Sequence, residues 1–108
     1  MNIEINVPQN AVKEWLISQV REKLIELHHM EKSLTRASVN FKLNDKPGNE
    51  KVCEIEVPMF GSSLFIHRAA PSFEQASREV LQELGKKILE RYDTRNDPPD
   101  IITSSVKV

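Results

Sequence analysis

The sequence predicts one α+β domain of order β-α-β-β-β-α, a four-stranded sheet with two helices packed on one face. Three observations carry this prediction. Two stretches repeat their apolar residues every three or four positions, as helices do, and others alternate polar and apolar with the period of a half-buried strand. The links between the last three strands are too short for parallel crossovers, so those strands should run antiparallel. A chain of 108 residues has room for a single core, which the sheet and both helices must share. The domain is expected over residues 1–92, with 93–108 as a C-terminal tail.

The first strand covers 2–7, where Ile3, Ile5 and Val7 alternate with polar residues before Pro8 ends the run. From residue 9 or 10 the period lengthens. Val12, Leu16, Val20, Leu24 and Leu27 form a helical stripe to about Met30, widened by Trp15, Ile17 and Ile25, with Asn10 as the N-cap candidate. The cleanest strand is Arg36–Leu43, which directs Ala37, Val39, Phe41 and Leu43 inward. After the turn cluster 44–49, a third strand over 51–57 directs Cys53, Ile55 and Val57 inward and Glu54 and Glu56 outward, with Pro58 closing it. Phe60-Gly61-Ser62 makes a turn, and 64–68 forms a fourth strand whose facing the pattern leaves open. Ser72 followed by Gln75 is a capping-box start. It leads into a second helix with Phe73, Ala76, Val80, Leu84 and Ile88 buried, reinforced by Leu81 and Leu89, fraying near Tyr92. Gly85 inside it signals either close backbone packing or a tolerated weakness costing about 1 kcal/mol relative to Ala. Pro98-Pro99 forbids helix, and Ile101–Val108 has strand propensity.

Charge narrows the function classes. Fifteen Lys and Arg against sixteen Asp and Glu give a net charge of −1, unlike domains whose whole surface wraps nucleic acid. Divided after residues 32, 70 and 92, no segment carries more than one charge in excess, so any RNA site must come from placement of charge. No apolar run approaches the roughly 20 residues that span a bilayer, and the N-terminus lacks the pattern of a signal peptide. Membrane association is not expected, and the location should be cytoplasmic. The single Cys53 cannot form an internal disulfide and reads as a small buried hydrophobe.

Enzyme chemistry finds little support. There is no phosphate-cradling glycine loop, no nucleophile elbow and no H-E-x-x-H. His28 and His29 are adjacent on a helix and point about 100° apart, unsuited to one metal. They suit the helix dipole or a polar partner instead. His67 with Cys53 would make a nucleophile pair only if Cys53 were exposed. No catalytic residue, metal, cofactor or small-molecule substrate is therefore expected.

What remains is charge at helix ends. Arg21, Lys23 and Lys32, with His28 and His29, make the end of the first helix basic. Lys86, Lys87 and Arg91 do the same for the second, after the acids Glu74, Glu79 and Glu83. Dipole matching explains this arrangement by itself. If the helices run parallel, however, the two ends adjoin as one RNA-binding cluster contacting phosphates. The outward sheet positions Arg36, Ser38, Asn40, Lys42, Glu54 and Glu56 lack the aromatic pair of a base-stacking sheet.

Three stretches carry a family likeness: Met1-Asn2-Ile3-Glu4-Ile5, Val20-Arg21-Glu22-Lys23-Leu24-Ile25-Glu26-Leu27, and the second helix from Ser72-Phe73-Glu74-Gln75-Ala76 to Leu84-Gly85-Lys86-Lys87-Ile88. Together with the element order over 1–92, they resemble the short form of the ribosome hibernation-promoting factor and ribosome-associated translation inhibitor family. The resemblance implies a factor of resting cells that binds rRNA of the small ribosomal subunit and blocks the mRNA and tRNA channel. It places Lys23 in the first-helix motif and Lys86 and Lys87 in the basic second-helix stretch. Glu26, Glu83 and Glu90 stand where the family commonly has Lys or Arg, and an acid near phosphate repels it. A protein-interaction module of the same fold, using the acidic sheet face or the 101–108 segment as an added strand, is the alternative. A small enzyme or metal protein built on His28, His29, His67 and Cys53 is the third reading.

Overall fold

The structure, a computed structural model, describes residues 1–9, 11–59 and 61–96, with side chains for all of these except 59 and 91–96. Its elements are β1 (Asn2–Asn6), α1 (Glu14–Met30), β2 (Arg36–Leu43), β3 (Lys51–Met59), β4 (Ser62–Ala70) and α2 (Phe73–Asn96). The sheet order is β1-β2-β3-β4. β1 lies parallel to β2, with Ile3 opposite Ala37 and Ile5 opposite Val39, a pairing that α1 makes possible by carrying the chain back across the sheet. β2, β3 and β4 are successively antiparallel, as the short links require.

One sheet face and both helices share one core. Val39, Ile55 and Val57 from the sheet meet Val20, Leu24 and Leu27 of α1 and Val80, Leu84 and Ile88 of α2, all with 3% exposure or less. Phe41 and Phe73 meet edge to face at 5.3 Å between centroids, tying β2 to the start of α2. The helices run parallel to each other: Leu16–Glu26 borders Glu74–Gln82, and His29 and Met30 sit beside Ile88 and Leu89.

Several boundaries differ from the sequence expectation. α1 starts at Glu14, because the Ala11 N–H donates to the Pro8 carbonyl in a turn and Lys13 is extended at the N-cap position, with no side-chain cap. Asn10 lies outside the described residues. Val12 is buried before the helix begins, whereas Trp15 and Ile25 are exposed and do not widen the buried stripe. Leu43 and Leu89, expected inward, are also exposed.

Pro58 does not close β3, which runs to Met59. Its missing N–H would point toward β2, where the ladder has already ended at the pair Ser38 and Glu56, so no hydrogen bond is lost. α2 starts as expected, with the Gln75 N–H donating to Ser72 Oγ at 3.1 Å, but it continues to Asn96 rather than fraying at Tyr92. The segment 101–108 lies outside the described residues. A Cβ built on Gly85 meets only Leu27 Cδ2 at 3.7 Å, an ordinary contact. Gly85 is therefore a tolerated weakness, not a close-packing requirement.

Candidate functional site

A groove of about 390 Å³ runs between the parallel helices, floored by Leu16, Val20 and Leu81 and walled by polar side chains of both. Lys23 and Glu26 stand on the α1 wall, and their side chains pair at 3.4 Å. On the α2 wall Arg78 pairs with Glu74 at 3.7 Å. Arg78 was not among the expected site residues, although it is the cation of α2 that shares this groove with Lys23. Helical periodicity counted from the buried stripe, rather than from the helix end, is the signal that would have found it.

The expected cluster is divided. Arg21 and Lys23 are two residues apart on a helix, so they point about 160° apart, and only Lys23 borders the groove. Lys86 is exposed and Lys87 half-buried. Lys87 pairs with Glu83 at 3.8 Å on the flank of α2 turned away from α1, and Arg68 of β4 reaches the same Glu83 carboxylate at 3.6 Å. The parallel helices do bring the two C-terminal ends together, yet what meets there is the His29, Met30, Ile88 and Leu89 crevice. Lys32 is exposed just beyond α1. The Arg91 side chain lies outside the described residues.

The acids expected to oppose phosphate have partners of their own. Glu26 holds Lys23, and Glu83 bridges Arg68 and Lys87. Exposed pairs of this kind are worth about 0–1 kcal/mol, so a phosphate can compete for any of these three cations at little cost.

His28 is half-buried and its Nδ1 donates to the Leu34 carbonyl at 2.7 Å, fastening the end of α1 to the turn that enters β2. This is the polar partner expected for one of the two imidazoles. The rings of His28 and His29 lie 6.2 Å apart and tilted. Among the described residues no three His, Cys, Asp or Glu gather to hold a metal. Cys53 points into the core and is 1% exposed, whereas exposed His67 follows the opposite alternation and stands on the outer sheet face. A Cys53–His67 nucleophile pair is therefore excluded by the sheet between them. Burial pushes the Cys53 thiol up to about 12, which removes its nucleophilic form near neutrality.

The outer sheet face differs from expectation at β4, whose facing the pattern left open. Phe65 and His67 stand on it, their rings 5.9 Å apart, directly across from Glu56 and Glu54. Glu54 also pairs with Lys42 at 3.0 Å, and Asn6 donates to Asn40 at 3.0 Å. No helix among the described residues is long and apolar enough to cross a membrane.

No protein-family model matches the sequence, and no curated protein matches it. Solved structures do match the fold. A ribosomal subunit interface protein from Coxiella burnetii is similar with a TM-score of 0.71 and 13% identity, over 85% of this chain and 98% of that one. The N-terminal domain of Protein Y from Thermus thermophilus is similar with a TM-score of 0.68 and 19% identity, over 85% of this chain and 99% of that one.

Proposed function

We propose that this chain is a non-enzymatic ribosome-binding factor that lies on rRNA of the small subunit and inhibits translation by occluding the mRNA and tRNA channel in the cytoplasm of resting cells. The observation that carries the proposal is the near-complete overlap of its β-α-β-β-β-α domain with a ribosomal subunit interface protein and with the Protein Y N-terminal domain. The sequence likeness at Val20–Leu27 and Ser72–Ile88 points the same way. Binding rests on the helical layer, where Lys23 and Arg78 line the groove and Lys86 and Lys87 lie across α2. Such contacts go to the RNA backbone and shape, and they weaken with salt because each phosphate neutralised releases counterions. Occlusion requires only that the folded body occupy the space of the substrates, and it calls for no catalytic constellation.

The test is co-sedimentation with purified small subunits over a salt series. The combined change Lys23→Glu, Lys86→Glu and Lys87→Glu should abolish binding, whereas a single Lys→Ala change should lower the salt slope by about one. Absence of binding by the parent chain even at low salt would falsify the proposal.

A further inference from the structure

We infer that the open edge of β4 pairs with β4 of a second copy of this chain, joining two four-stranded sheets into one continuous eight-stranded sheet. The inference stands apart from the ribosome-binding proposal.

Among the described residues β4 is an edge strand of nine residues, paired with β3 without interruption from Lys51 opposite Ala70 to Met59 opposite Ser62. The two-residue link at 60–61 makes Met59 and Ser62 a hydrogen-bonded pair, and the ladder alternates from there. Leu64, Ile66, Arg68 and Ala70 thus bond to β3, while Ser63, Phe65, His67 and Ala69 turn their N–H and C=O groups to the open side. Natural edges are usually blunted by Lys, Pro, a bulge or a very short strand. β4 carries no Lys, Pro or bulge and is not short; its one formally charged residue, Arg68, points toward α2, where Glu83 pairs with it. The opposite edge, β1, is only five residues long, carries Glu4 and is followed by Pro8.

The occupant follows from self-complementarity. A two-fold axis at Ile66 sets Phe65 opposite His67 of the other copy and His67 opposite its Phe65, both as hydrogen-bonded pairs. Phe65, 53% exposed here, then gains an aromatic neighbour across the seam as well as its own His67. The same axis runs the two α2 helices antiparallel. On the flank turned away from α1, Glu79 and Glu83 precede Lys87, so the two antiparallel copies present this flank to each other with acid and base in reversed order. An unrelated strand would supply neither match.

Sedimentation velocity of the full chain across a protein concentration series tests the inference, with backbone hydrogen exchange as a second readout. A concentration-dependent dimer is expected, with the amides of Ser63, Phe65, His67 and Ala69 slowing as it forms. Phe65→Lys, on an exposed position, should weaken dimerisation about tenfold or more while leaving the thermal midpoint near the parent value. Ser63→Pro should do the same by removing one edge donor that β3 does not use. A chain that stays monomeric at every concentration overturns the inference, including the case in which those amides are already protected because residues 101–108 cover the edge. A dimer that both variants leave unchanged overturns it too.

Discussion

Cys53 shows how position converts a reactive side chain into a packing one. Its thiol lies between Phe41 on β2 and Arg68 on β4 in register and is shut inside the core. Burial raises its pKa from 9.0 to about 12. The thiol is neutral in the folded state where the unfolded chain would already ionise, so its contribution to stability is complete below pH 9 and is lost as pH climbs toward 12. Unfolding free energies from denaturant titrations at pH 8 and above should fall over that window in the parent, by up to about 4 kcal/mol, and fall less in Cys53→Ala. An equal fall in both would remove this account. Glu31 is also nearly buried, and it is stabilised by polar contacts: the Ser33 hydroxyl donates to its carboxylate at 2.6 Å. With His28 on the Leu34 carbonyl, it secures the turn between α1 and β2.

At the scale of elements, helix termini and strand ends obey local chemistry only where that chemistry is undisturbed. Ser72 caps α2 because its hydroxyl meets the Gln75 N–H, a contact available from neighbouring residues alone. α1 lacks such a cap, because Lys13 at its N-cap position has only donors in its side chain and nothing to accept a first-turn N–H. Gly85 weakens α2 without a compensating contact. Gly85→Ala should therefore stabilise the domain by up to about 1 kcal/mol in chemical denaturation, because the new Cβ meets Leu27 at an ordinary distance. A loss of stability would mean that the helices must approach more closely than this arrangement requires. Pro58 makes the converse point: it reads as a terminator, yet costs β3 nothing because its missing donor falls beyond the ladder.

For the whole molecule, a net charge of −1 conceals sharply placed charge. Lys23 and Arg78 share the interhelical groove, while Lys87, beside Glu83, lies on the flank that a copy paired through β4 would face. Self-pairing and rRNA contact are thus expected to compete for α2. Ser63→Pro, by removing the competing dimer, should bind small subunits at least as tightly as the parent in a co-sedimentation titration. Weaker binding by that variant, with its fold intact by circular dichroism, would show that the two contacts do not compete.

The sequence by itself determined the element order, the antiparallel run of β2, β3 and β4, and most of the core, because apolar spacing at periods of two and 3.6 reports which side of an element must leave water. It also located Lys23, Lys86 and Lys87 on their helices. Only the tertiary structure decided which cations share a face: Arg78 joins Lys23, and Arg21 points away, because that depends on how each helix is rolled against its neighbour. It likewise decided that Glu83 is shared by Lys87 and by Arg68 of β4, that Cys53 and His67 stand on opposite sides of the sheet, and that Phe65 of β4 stands directly across from Glu56 of β3. Those relations join residues distant in the chain, and periodicity carries no information about which distant faces meet.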